Sequence, residues 1–438
     1  MRPLRLGFLV AAAWAIALPT PAGAASDPGA AQQWGIRIIG ADAAWTIGLG
    51  ANITIAVVDT GVDAEHEDLR GKVLTGRNFV DPSKPPHDDN GHGTHVAGIA
   101  AALTDNRTGV TGVAPDARIL PVKVLAANGK GDGLRVAEGI EWAADNGAHV
   151  INVSLGSGFK VENTYVATTA AQLQAAVRHA WNKGAIVVVA AGNEPSAVNV
   201  FRGEPVIVVT ATDDADRKAP YATGVAKAQW GLAAPGGTGE GPSQRNILST
   251  YWVAGSHNTY AWAAGTSMAA PHVAGAAAIL RDRGLDKEQT VARLRSTAKD
   301  LGEPGRDDVY GDGRLDLARA VQGLRPAART IPVPGPTTSP TTAPRGGGGS
   351  TITTAIGGPT ANGPSGGPPP GADAGLDVEP FDANGPAPGG TDKPVEGEEG
   401  SGRDGRPESK DGRPWIPVAL GVGLLAAAAA GIVRARRA

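Results

Sequence analysis

Three short segments of this 438-residue chain each carry a side chain that can do chemistry. Val57-Val58-Asp59-Thr60-Gly61 brings a carboxylate, and His92-Gly93-Thr94-His95-Val96-Ala97-Gly98 brings an imidazole. Gly265-Thr266-Ser267-Met268-Ala269-Ala270-Pro271-His272 brings a hydroxyl. A serine hydroxyl is a poor nucleophile near neutral pH. It becomes a good one when an imidazole takes its proton and a carboxylate fixes the tautomer of that imidazole. His92 and His95 share the second segment, so one of the two must be chosen as the base. Asn193, in Ala190-Ala191-Gly192-Asn193, adds an amide. Alone it reads as a turn former after a buried strand. Beside the other three groups it is a candidate donor to a developing oxyanion.

These groups need a rigid frame. Ile53 to Val58, Ile119 to Val124, Val150 to Ser154, Ile186 to Ala190 and Val206 to Ala211 are continuous apolar runs. Such runs suit strands buried on both faces. Helical stretches are predicted between them at His95 to Leu103, Gly133 to Asn146 and Thr168 to Lys183. The alternation predicts an α/β domain over residues 25–325, with a central parallel sheet covered by helices on both faces. In such sheets a site gathers at the carboxyl ends of the strands. Asp59 closes one predicted strand and Asn193 follows another. Ser267 opens a further helix, with Pro271 in or near its first turn. Folded sequence is expected to begin at about Trp34.

The three motifs, in the order Asp, His, Ser, resemble those of subtilases, the subtilisin-like serine proteases of peptidase family S8. The resemblance covers about two-thirds of the chain. It implies that Asp59 holds the imidazole, that His92 is the base and His95 a structural histidine, and that Ser267 is the nucleophile. It implies an oxyanion hole made by the Ser267 N–H and the Asn193 amide. It also implies that an extended peptide pairs between Gly129-Lys130-Gly131 and Ser154-Leu155-Gly156. Ala190, Ala191 and Gly192 would line the primary pocket, with Glu194 at its rim, where it would favour a basic residue. His66 and Asp68 match a recurrent subtilase stretch, and His272 reads as structural. The chemistry requires no cofactor. Many subtilases bind calcium, but no ligand spacing here marks a metal site, and Asp307, Asp308 and Asp312 read as a solvated turn.

The totals narrow the function further. A net charge of −3 gives no electrostatic case for a nucleic-acid partner. With no cysteine, disulfides and thiolate chemistry are excluded. Residues 1–24 read as a secretory signal peptide, with Arg2 and Arg5 before an apolar run and Ala22-Gly23-Ala24 as the cleavage site. Residues 326–414, rich in Pro, Gly, Thr and Ser, are expected to be a disordered linker. Trp415 to Val433 is an uncharged apolar stretch of transmembrane length. The basic tail 434–438 that follows is expected in the cytoplasm, leaving the peptidase domain outside. Only a short segment separates Ala24 from Trp34, so a folded propeptide of the usual subtilase kind is not expected. This order of segments resembles mycosins, the proteases associated with type VII secretion. It implies a membrane-anchored endopeptidase that acts on a few exported proteins. Two alternatives stand beside it: a stabilising component of a membrane secretion complex with dispensable proteolysis, and a general surface-degrading protease.

Overall fold

The computed structural model describes residues 26–155, 164–195 and 200–327. The expected signal peptide, nearly all of the linker, the 415–433 stretch, the basic tail and Gly156 lie outside the described residues. Among the described residues no helix is long and apolar enough to cross a membrane.

The first half of the domain runs α1 (Trp34–Ile38), α2 (Ala41–Trp45), β1 (Thr54–Asp59), β2 (Arg77–Asn78), α3 (His92–Ala101), β3 (Arg118–Lys123), α4 (Gly133–Asp145) and β4 (Val150–Val153). The second half runs α5 (Thr164–Asn182), β5 (Ile186–Ala190), β6 (Val206–Thr212), β7 (Trp230–Pro235), β8 (Ile247–Tyr251), β9 (Thr259–Ala263), α6 (Thr266–Asp282), α7 (Lys287–Ser296) and α8 (Leu317–Ala320). Seven strands form one sheet in the order β2-β3-β1-β4-β5-β6-β7, and every pair is parallel. Strands β8 and β9 form a separate antiparallel hairpin.

Alternation along β1 shows why a parallel strand reads as unbroken apolar sequence. Ile55 and Val57 enter one core, packed with α3 and α6, while Ala56 and Val58 enter the other, packed with α4 and α5. Both faces are therefore dry. The sheet order places β1 between β3 and β4, where the chain changes its direction of travel across the sheet. Asp59, the last residue of β1, stands at that crevice.

Small residues let the layers close. A Cβ on Gly275 of α6 would stand 2.9 Å from the Ala100 carbonyl of α3. Gly98 instead lies against β8, where a Cβ would meet Thr250 Oγ1 at 2.2 Å. The close approach of α3 to α6 therefore comes from Gly275, whereas Gly98 of the histidine motif serves the hairpin.

Ordered structure begins before Trp34. Asp27 accepts the N–H groups of Asp105 and Arg107, both at 2.9 Å, and Gly29 N–H donates to the Gly109 carbonyl at 2.7 Å. The last segment closes onto the first. Arg314 Nη1 donates to the Ile38 carbonyl at 2.7 Å, Leu317 N–H to Ile39 O at 2.8 Å, and Ala327 N–H to Ile47 O at 2.8 Å.

Candidate active site

Asp59 is fully buried. Its Oδ1 accepts from the Thr60 N–H at 2.7 Å and from His92 Nδ1 at 2.7 Å. Its Oδ2 is buried with no hydrogen-bond partner, so the imidazole is the main relief for this charge. With the Nδ1 proton given to Asp59, Nε2 of the neutral ring is the basic nitrogen. Burial disfavours the His92 cation, but the charge and hydrogen bond of Asp59 and the charge of Asp88 outweigh it. The pKa is held above the ordinary imidazole value.

His92 is the first residue of α3, and a network that the sequence did not advertise fixes it there. Asp88 is fully buried and takes five hydrogen bonds. Its Oδ1 accepts from Thr60 Oγ1 at 2.8 Å and from the N–H groups of Asn90 and Gly91 at 3.0 Å each. Its Oδ2 accepts from the Thr94 N–H at 2.8 Å and Thr94 Oγ1 at 2.6 Å. Thr60 Oγ1 in turn accepts the Gly93 N–H at 2.9 Å. Gly93 can be nothing larger, because a Cβ would stand 2.1 Å from the Gly61 carbonyl.

Lys123, at the end of β3, adds a buried cation. It donates to the carbonyls of Thr60 at 2.5 Å and Leu125 at 2.8 Å, and to Asp89 at 2.6 Å. A lysine closing the apolar run Ile119 to Val122 was the available signal for this residue.

Ser267 lies in the first turn of α6. Its Oγ donates to the Ser154 carbonyl at 3.0 Å, an acceptor the hydroxyl would have to leave in the nucleophile role expected from the sequence. Of the first-turn donors, Thr266 N–H goes to Asn193 Oδ1 at 2.9 Å, and Met268 and Ala269 N–H go to the Gly265 carbonyl. That leaves Ser267 N–H, with the positive end of the helix dipole behind it. Asn193 Oδ1 also accepts Thr266 Oγ1 at 2.9 Å, which turns its Nδ2 the other way. A Cβ on Gly265 would stand 3.2 Å from that Nδ2, so this glycine keeps the approach open. Pro271 lies just past the first turn, near it as expected. It is the sixth residue of α6, inside the helix.

The other site residues are distributed as follows. His95 is fully buried; its Nε2 faces the carbonyls of Ala261 at 3.0 Å and Ile247 at 3.2 Å, and burial pulls its pKa down to about 3. His272 is buried against the Met268 carbonyl at 2.8 Å, with its pKa lowered to about 4 by burial. Both are neutral rings inside the core.

Ala190 and Ala191 place their side chains in the two cores, so only the main chain of residues 190–192 can border a pocket. Gly192 N–H is held by Thr266 Oγ1 at 3.1 Å. Glu194 is half-buried, and its carbonyl accepts Thr223 Oγ1 at 2.5 Å. Gly129, Lys130 and Gly131 fold back on their own turn: the Lys130 carbonyl accepts the Ala126 N–H at 2.9 Å, and Gly131 bridges Leu125. Ser154 is buried and Leu155 half-buried at the end of β4.

His66 Nε2 lies 2.9 Å from the Thr259 carbonyl. Asp68 accepts from Asn106 Nδ2 at 2.7 Å, Val110 N–H at 2.8 Å and Tyr260 OH at 3.0 Å. Asp312 is ion-paired with Arg295 and Arg306 at 2.7 and 2.8 Å, which makes the 307–312 turn a salt-bridged closure rather than a purely solvated one. Among the described residues, no group of three or more His, Asp or Glu is placed to hold a metal ion.

Comparison with known proteins accords with this geometry. Residues 50–313 match the model of the subtilase family. The chain is 42% identical over 293 residues to thermitase of Thermoactinomyces vulgaris, covering 66% of this chain and 96% of thermitase. It is 39% identical over 298 residues to subtilisin DY of Bacillus licheniformis, covering 66% and 98% respectively. Among solved structures, a protease from Pseudoalteromonas arctica PAMC 21717 superposes with a TM-score of 0.60 at 30% identity, covering 68% of this chain and 98% of that one. A lanthipeptide protease superposes with a TM-score of 0.55 at 28% identity, covering 63% and 89%. With a strand-end carboxylate on an imidazole, a serine at a helix start and relatives matched over nearly their whole length, this chain belongs to the subtilase family and is a subtilisin-like serine protease.

Proposed function

We propose that hydrolysis runs through Asp59, His92 and Ser267, and the 2.7 Å contact between Asp59 Oδ1 and His92 Nδ1 carries this reading. His92 Nε2 takes the proton from Ser267 Oγ as that oxygen attacks the peptide carbonyl. The developing oxyanion is held by the Ser267 N–H and Asn193 Nδ2. His92 then gives its proton to the departing amine, leaving an acyl-Ser267 that water hydrolyses with the same imidazole as base. The peptide lies extended between Gly129–Gly131 and Ser154–Gly156, and Glu194 favours a basic side chain in the primary pocket.

The order of segments in the sequence supports an exported protease. It would be held outside the cell membrane by Trp415–Val433, with the arginines at 434, 436 and 437 inside. The same order, resembling that of mycosins, supports a place in type VII secretion and a small set of exported substrates. The test is fluorophosphonate labelling of the full-length chain in membranes, with Ser267→Ala as control. Label on the parent alone is expected. Label that survives Ser267→Ala, or that never forms on folded parent, overturns the assignment. Accessibility of the peptidase domain to externally added protease in intact cells tests the anchoring.

A further inference from the structure

A proline inside a helix has no N–H to give the carbonyl four residues back, and its ring crowds that carbonyl. For Pro271 the carbonyl concerned belongs to Ser267. The Ser267 carbonyl is not left unpaired, because it accepts Ser154 Oγ at 2.8 Å. Ser154 Oγ is itself aimed by Asn152 Nδ2 at 2.8 Å, from within the fully buried β4. Asn152 is 0% exposed and its Oδ1 has no hydrogen-bond partner, a costly placement for an amide in a central strand. The exchange is reciprocal, since Ser267 Oγ donates to the Ser154 carbonyl. Two crosslinks therefore join the end of β4 to one residue of α6, and that residue is the serine.

We propose that Pro271, Ser154 and Asn152 form one positioning device for the nucleophile. Pro271 frees the Ser267 carbonyl from the helix, and Ser154, oriented by Asn152, ties that carbonyl to the sheet. Ser267 is thereby held against β4, the neighbour of the strand that carries Asp59, and not by its own helix alone. The bond to the Ser267 carbonyl leaves the reacting atoms untouched, and the contact of Ser267 Oγ with Ser154 is to its main-chain carbonyl, which Ser154→Ala keeps. This rests on Ser267 being the nucleophile.

The two residues must then be coupled in a specific way. Pro271→Ala supplies an N–H that can satisfy the Ser267 carbonyl within the helix, so it makes the Ser154 hydroxyl redundant. The experiment is a double-mutant cycle on the full-length chain with Ser154→Ala, Pro271→Ala and the pair. The readout is the second-order rate constant of fluorophosphonate acylation, measured for each variant where its unfolding curve shows it to be folded. Loss of one hydrogen bond in the parent helix is expected to slow acylation about 10-fold. In the Pro271→Ala helix the same substitution is expected to cost less than about 3-fold. If Ser154→Ala alone fails to fold while the pair folds, the coupling is supported through stability. Equal losses in both backgrounds, no loss in the parent, or failure of both Ser154 variants to fold overturns the proposal. A folded parent that takes no label overturns the nucleophile assignment itself, which is a separate result.

Discussion

Asp88→Asn is the sharpest single test of how the histidine loop is built. The substitution keeps shape and turns one acceptor oxygen into a donor. Placed at Oδ1, the new NH2 would face two fixed main-chain donors, Asn90 and Gly91 N–H. Placed at Oδ2, it faces one fixed donor, Thr94 N–H, and the Thr94 hydroxyl, which can turn round and accept. The second orientation wins. It strands one buried N–H, a cost of about 1–3 kcal/mol. It also converts the remaining charge-assisted bonds to neutral ones of about half the strength. A total destabilisation of about 2–4 kcal/mol is expected, measured by urea unfolding in a Ser267→Ala background so that self-digestion does not intervene. A second readout follows from charge. Asp88 helps hold the His92 pKa up, so Asp88→Asn in the active protein should move the acid limb of the rate profile to lower pH. A loss below about 1 kcal/mol together with an unmoved acid limb refutes the reasoning.

Asn193→Ala is expected to lower kcat by about 10²- to 10³-fold with KM little changed, the cost known for a subtilisin, and steady-state kinetics on a peptide substrate reads it directly. In the proposed mechanism only neutral His92 can act as base; with Asp59 and Asp88 holding its pKa above the ordinary value, the rate should rise with pH through a midpoint above about 6.5. A midpoint at or below that value contradicts the described contacts. Burial lowers the Lys72 pKa to about 7, so between that pH and about 10.5 the unfolded chain binds a proton that the folded chain does not. Stability from this group therefore grows as pH rises across that window. Lys72 Nζ also serves the buried carbonyls of Ala101 and Pro115, which Met cannot do, so Lys72→Met should compare more favourably with the parent at pH 6 than at pH 9 in denaturation curves. Glu194→Gln should reduce cleavage after Lys and Arg relative to Leu in a profile of primary-pocket side chains; an unchanged ratio removes Glu194 from the pocket rim.

The sheet was readable because parallel strands advertise themselves. Ile55 to Val58 and Val206 to Val209 are unbroken apolar runs within β1 and β6. Strand β7 escaped because Trp-Gly-Leu-Ala-Ala-Pro has neither β-branched residues nor alternation, and its place is set by pairing of its whole length with β6. The hairpin of β8 and β9 escaped for a related reason, its residues being chosen for packing against α3. The segment from Ser26 to Gln33 carries no periodicity at all. It is ordered by polar anchors, Asp27 to the 105–107 turn and Gln33 Nε2 to the Thr111 carbonyl at 2.8 Å, and such long-range bonds leave no trace in local sequence. At the site, motifs named Asp59, His92, Ser267 and Asn193, while the groups that aim them were not legible. Asp88 looks like any turn aspartate until its five donors are counted, and the carbonyl that Pro271 leaves without a helical donor is not known until the register of α6 is known.

The hydrogen bonds of Arg314 to Ile38, Leu317 to Ile39 and Ala327 to Ile47 have a meaning in time as well as in space. A ribosome delivers the chain from one end, so Ile38 waits for a partner 276 residues away. Native contacts of that separation form late, and a chain dominated by them folds slowly. Ser267 itself is followed by sixty residues that must arrive before the ring of contacts is closed (residues 268 to 327). A nascent chain of this protease thus carries its cutting chemistry in pieces, and the contacts that tie residues 38–47 to 314–327 can form only after the last of those residues has emerged.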